Sequence, residues 1–125
     1  MKRIILAVAV LAAMLAPAAL RAQDPVKVDP KHYSVVFEND EVRVLRIHYA
    51  PGEKSVMHTH PNAVAVFLGD STATMTFPDG KSQVSNVKTG ETMFTPAGAH
   101  LPENTGKTPV DLVLVELKAK PPAAN

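Results

Sequence analysis

Two histidines two residues apart, His58 and His60, are the strongest chemical signal in this chain. They follow the turn residues Pro51-Gly52 and precede an apolar run, Ala63 to Leu68. On a β-strand, residues i and i+2 share a face, so both imidazoles aim at one point. On a helix the same spacing separates them. Neutral imidazole is the commonest protein ligand for a transition metal. A strand-borne His-Thr-His therefore makes two legs of a metal site that needs a third from elsewhere. Taken alone, the stretch fits a pair of surface histidines on an exposed strand equally well.

Three further histidines are candidates for that leg. His32 sits in a polar, proline-bearing lead-in and is expected to be solvated. His48 lies late in a strand beside Arg46 and Tyr49 and is expected to be structural. His100 stands behind the turn-rich segment Thr95-Pro96-Ala97-Gly98-Ala99. Glu53, Glu91 and Glu103 read as solvated surface acids. Glu103, three residues from His100, falls on the opposite face of a regular strand, and the face of Glu116 is left open. The sequence holds no cysteine, no Gly-x-Ser-x-Gly elbow and no phosphate-binding glycine loop. Thiol catalysis, disulfides and Fe–S clusters are thereby excluded.

The elements that must position these residues read as strands. Tyr33 to Phe37, Glu41 to Tyr49 and Val56 to His60 are rich in β-branched and aromatic residues. Ala63 to Leu68 is apolar at every position, as for a strand buried on both faces. Thr72 to Phe77 alternates threonine with Ala73, Met75 and Phe77, the pattern of a half-buried strand. Ser82 to Val87, Glu91 to Thr95, an extended His100 to Glu103, and Val110 to Lys118 complete the set. Ala50-Pro51-Gly52-Glu53 suits a type II turn with glycine at the positive-φ position. No segment after residue 22 sustains a helical period. Many short strands with regular turn signals predict an all-β sandwich or barrel in a single domain.

The first 22 residues read differently: Met1-Lys2-Arg3, an uncharged run from Ile4 to Leu20, and small residues up to Ala22. This is the pattern of a cleavable signal peptide, with cleavage expected after Ala22. The protein is thus expected to be exported, periplasmic or secreted, with no stable membrane association after cleavage. Removing Lys2, Arg3 and Arg21 takes the 13 basic side chains to 10 against 12 acidic, a formal net charge of −2. No basic run points to nucleic acid. The expected division is a leader over 1–22, a flexible lead-in over 23–32, a barrel over 33–118 and a tail over 119–125.

Two spaced motifs sharpen the fold. Gly52, five residues, then His58-Thr59-His60 forms the first; Gly90, five residues, Pro96-Ala97-Gly98, then His100 and Asn104 forms the second. In this the chain resembles the cupin family over roughly residues 35–117. His100 comes one residue early in the second motif, and Asn104 keeps its spacing from it. The resemblance implies a six- or eight-stranded antiparallel jelly-roll β-barrel with His58, His60 and His100 converging in its mouth. Gly52 and Gly90 are expected in tight turns, Gly98 in a conformation costly for other residues, and Pro96 fixes φ where a strand ends. The chain departs from the pattern where the family carries a ligand Glu: Val64 stands there, or Ala65 if the spacing is one longer.

Three neutral imidazoles leave a divalent metal its full charge and open positions. With Zn²⁺ that arrangement makes hydroxide near neutral pH; with Fe²⁺ or Ni²⁺ the open positions take an enolate or similar anion and then O₂, as in cupin-type dioxygenases. Geometry and availability select among Fe, Mn, Ni and Zn. If strand parity continues from His60 through Pro61-Asn62, then Val64, Val66 and Leu68 face inward and, with Met75 and Met93, line an apolar pocket for a small molecule. Two functions follow: a dioxygenase- or isomerase-like metal enzyme on a small enolisable or acidic compound, or a non-enzymatic ligand-binding module. Pairing of two copies through apolar strands such as Ala63 to Leu68 is compatible with either.

Overall fold

The computed structural model describes residues 23–120; the leader expected over 1–22 and the last five residues of the tail lie outside them. The described chain is a short helix followed by nine strands, all paired antiparallel. Helix α1 (Pro25–Val28) leads into β1 (Tyr33–Glu38), β2 (Val42–Tyr49), β3 (His58–His60) and β4 (Ala63–Phe67). Then come β5 (Ser71–Thr76), β6 (Ser82–Val87), β7 (Thr92–Thr95), β8 (Gly98–Asn104) and β9 (Val110–Leu117). One sheet has the order β1-β2-β9-β4-β7 and the other β3-β8-β5-β6. The chain passes back and forth between the two sheets, giving the all-β jelly-roll barrel that the motif resemblance implied, with nine strands in place of six or eight.

The core lies on the inner face of the five-stranded sheet, where Leu45, Ile47, Ala65, Leu112 and Leu114 are buried together. Strand β9 shows the alternation most clearly: Val110, Leu112, Leu114 and Glu116 are buried and the residues between them are half-exposed. Glu116, 2% exposed, therefore occupies a core position. A buried carboxylate needs partners, and the site below supplies them.

Two turns behave as their glycines require. Gly52 and Gly90 have φ of 82° and 83°, where a Cβ is costly, and the Glu53 N–H donates to the Ala50 carbonyl at 3.1 Å across the type II turn. Gly98 is a correction. Its φ is not positive and a Cβ there would meet nothing within 4 Å. It opens β8 opposite His60, as ordinary extended backbone.

The lead-in is a second correction. Asp24 caps α1, accepting from Val26 N–H at 3.1 Å, and Arg43 holds Asp24 through two guanidinium nitrogens at 2.8 and 3.0 Å. The helix is one turn long, too short for a periodicity signal, and tertiary contacts hold it in place.

Candidate metal centre

Strands β3 and β8 set the three histidines. Their register puts His58 directly opposite His100 and His60 opposite Gly98. His58 and His60 are 1% and 8% exposed, so both point inward as the i, i+2 rule requires. One ligand atom from each of His58, His60 and His100 lies within 4.8 Å of the others. Ring centroids are 4.8 to 5.2 Å apart, each pair steeply inclined.

The hydrogen bonds show which nitrogen each ring presents. His58 Nδ1 lies 2.8 Å from the Val56 carbonyl, which only accepts, so Nδ1 carries the proton. His60 Nδ1 lies 2.7 Å from Glu116 Oε2 and donates to it in the same way. Both Nε2 atoms then present lone pairs, yet they stand 3.0 Å apart. Two lone pairs at that distance need a proton or a cation between them. His100 Nε2 is buried with no hydrogen-bond partner among the described residues, which is costly unless something binds it. Metal–imidazole bonds are about 2.0–2.1 Å, so two nitrogens 3.0 Å apart can share one ion. The donor set fits a divalent transition metal.

Burial keeps the ligands available. Desolvation pulls the His58 pKa down to about 4. Desolvation likewise pulls His100 down to about 3, reinforced by His60 and His58. Both rings are therefore neutral at ordinary pH, the form that ligates.

Behind the ligands stands a layer of polar groups, the arrangement that orients metal-binding histidines. Glu116 takes His60 Nδ1 on one oxygen and Arg43 Nε, at 2.6 Å, on the other. Burial alone would raise its pKa, but those two bonds outweigh it and hold the carboxyl below its usual value. Behind His58, the Ser55 hydroxyl sits 3.3 Å from Nδ1 and donates to Asp29 at 2.6 Å. His32 is not solvated as expected: it is 8% exposed, meets both Asp29 oxygens at 2.8 Å through Nδ1, and stacks on Tyr49 at 4.3 Å. Glu53 is likewise not an idle surface acid. Lys31, the Ala50 N–H and His32 hold its carboxyl at about 2.

The two sheets enclose a cavity of about 510 Å³ that reaches His60 and His100. Phe67, Met75 and Met93 contribute to its wall, with Ala65 and Tyr33. Met75 and Met93 are thus on the wall as expected; Val64, Val66 and Leu68 are not. At Pro61-Asn62 the chain leaves one sheet for the other, and the parity set by His58 and His60 is lost. In β4 Ala63 and Ala65 are buried, while Val64 and Val66 turn to the outer face and Leu68 is 42% exposed. Of the two places the family Glu could occupy, Ala65 is the inward one. Glu103 keeps the parity opposite to His100, as expected: it pairs with Thr74 between the buried Pro102 and Asn104; His48 is exposed on the outer face of β2. Asn104 is buried, its amide donating to the Tyr49 and Thr108 carbonyls at 3.0 and 2.9 Å. It ties β8 to the end of β2 and the loop before β9.

Comparison with known proteins agrees with this architecture. No family model and no curated protein matches the chain. Among solved structures, a cupin domain from Bordetella pertussis Tohama I is 27% identical over 70% of this chain and 92% of its own, with a TM-score of 0.65. A conserved protein with a double-stranded β-helix domain from Klebsiella pneumoniae is 25% identical over 70% of this chain and 84% of its own, with a TM-score of 0.54. A cupin superfamily protein from Desulfitobacterium hafniense shares the fold at 17% identity and a TM-score of 0.54, covering 70% of this chain and 76% of its own. The chain shares the cupin fold with these structures, and its three-histidine cluster fits metal binding.

Proposed function

We propose that this protein is an exported cupin that holds one divalent transition metal, Fe, Mn, Ni or Zn, on His58, His60 and His100 and uses it on a small enolisable or acidic organic molecule. The observation that carries the reading is the facing pair of His58 and His60 Nε2 atoms, 3.0 Å apart, beside a buried His100 Nε2 without a hydrogen-bond partner among the described residues. When bound, the metal supplies a Lewis acid with open positions and undiminished charge, suited to an anionic ligand and to oxidation or isomerisation of it. The chain does the rest. Glu116 and the Val56 carbonyl fix the ring tautomers, and the apolar wall excludes water and takes the organic part of the molecule.

Export rests on the leader pattern of residues 1–22. Among the described residues no helix is long and apolar enough to cross a membrane. Self-association has a defined surface: Phe37, Val44, Val115, Val64 and Phe94 form one cross-strand row over all five strands of the larger sheet. The end members Phe37 and Phe94 are 54% and 58% exposed. A second copy stacked on this row makes a dimer; monomers by light scattering at high concentration would rule it out.

A non-enzymatic module for a small ligand is the second reading. It is favoured by the inward Ala65, which leaves the three-histidine cluster without the family's carboxylate ligand. An element scan of anomalous scattering in crystals grown without a His tag tests the first reading. Density for a single transition metal among the three histidines supports it, and its absence after soaks with all four metals refutes it.

A further inference from the structure

We propose that Tyr33 is the residue that positions a ligand at the three-histidine centre, by donating its phenolic hydrogen to an acceptor atom of whatever occupies the open side of the site. The inference rests on the metal reading above and deepens it to a ligand class. Tyr33 opens β1 on the inner face, 3% exposed and on the cavity wall. Its oxygen accepts a hydrogen bond from the Tyr49 hydroxyl at 2.5 Å and lies 3.1 Å from His58 Nε2. The two phenol rings meet edge to face at 6.0 Å. Tyr49 is itself clamped, stacked at 4.3 Å on a His32 ring that Asp29 and Glu53 hold at both nitrogens.

The proton count gives the role. His58 has spent its Nδ1–H on the Val56 carbonyl, so its Nε2 can only accept. Tyr33 takes the hydrogen of Tyr49 and aims its own at that Nε2. Once the Nε2 lone pair belongs to a metal, the Tyr33 O–H has lost its acceptor inside a buried site. A buried donor left without an acceptor is costly. The remedy within reach is an atom bound beside the histidines.

Chemistry then selects the ligand. A carboxylate, enolate or hydroxide oxygen keeps a lone pair after coordination and can accept from Tyr33. A coordinated amine keeps none. Together with the apolar wall of Phe67, Met75 and Met93, this favours a molecule with an anionic oxygen at one end and an apolar body at the other.

The test uses the full-length protein, its leader removed by export, reconstituted with Co²⁺ and titrated with azide, followed by the visible spectrum. Azide also keeps lone pairs when bound, and methylamine serves as the probe without one. Tyr33→Phe is expected to bind one Co²⁺ with wild-type affinity but azide about tenfold more weakly, about 1.4 kcal/mol, with methylamine unchanged. Tyr49→Phe, which frees the clamp and keeps the donor, should lose less. Unchanged azide affinity in Tyr33→Phe would overturn the proposal. So would loss of Co²⁺ from that variant, since Tyr33 would then be a ligand. Wild-type protein that takes up neither Co²⁺ nor any of Fe, Mn, Ni and Zn would overturn the metal reading itself, and this inference with it.

Discussion

His60 Nδ1 and Glu116 Oε2 are 2.7 Å apart, in a pocket where both residues are almost wholly buried. The second Glu116 oxygen accepts from Arg43, and Arg43 reaches on to Asp24 at the cap of α1. A line of alternating charge thus runs from Asp24 to one ring of the three-histidine cluster. Glu116 is not a replacement for the missing ligand carboxylate. It acts one layer behind, fixing the tautomer and orientation of His60.

Glu116→Gln keeps the shape and an acceptor but removes the charge. Metal affinity should fall about 10- to 100-fold, read by competition against a chelator, while the circular dichroism of the metal-free fold is preserved. Unchanged affinity would show that the carboxylate only fills space.

The depressed pKa values of His58 and His100 make a pH prediction with a definite sign. In the unfolded chain both rings take up a proton near 6.5, whereas in the folded protein they resist it down to about 4 and about 3. Below 6.5 the unfolded state therefore binds more protons, and metal-free protein loses stability as pH falls, by about 1.4 kcal/mol per unit for each ring. The loss tapers only near the folded values. Denaturant titrations of the metal-free protein at pH 7, 5.5 and 4.5 measure it. Replacing His100 by Gln should remove part of that slope; a slope identical in both proteins would contradict the account.

Val64→Glu tests the register of β4. Val64 lies opposite Phe94 and Val115 on the outer face, so a carboxylate there cannot reach the histidines. Metal affinity should not change, although the position is where motif spacing of three residues would seat a ligand. A tighter site in this variant would mean that β4 turns its other face inward.

Asn104 is a prediction of stability alone. Its amide serves two carbonyls, and its side-chain oxygen accepts from the Gly106 N–H at 3.1 Å. Asn104→Ala strands these groups and should cost about 2–4 kcal/mol, read as a lower denaturation midpoint with the slope unchanged.

Much of this was legible from residue types. The threonine alternation of β5, the positive-φ glycines and the His-Thr-His pair are local signals, and local signals survive without coordinates. What failed was non-local. The parity from His60 to Val64 broke because Pro61-Asn62 carries the chain between sheets, and a period of two says nothing across such a crossing. His32 looked like a residue of a loose polar segment because its partners, Asp29 apart, are distant: Glu53 and Tyr49 come from a later turn and strand. Glu116 stayed undecided because both faces of β9 are apolar. One signal was available: Asp111 belongs to the other parity, so sending it outward, where Arg46 meets it at 2.8 Å, sends Glu116 in. Tyr33 and Tyr49 carried no signal, since buried tyrosines are common in any β core.

His58, His60 and His100 are proposed to hold one metal ion between them. Elemental analysis of untagged protein, reconstituted in turn with Fe, Mn, Ni and Zn and then desalted, tests it most directly. The account predicts one equivalent of at least one metal per chain, lost in His58→Ala and in His100→Ala while His48→Ala keeps it. No stoichiometric metal in the wild type, or equal retention in all three variants, would contradict it.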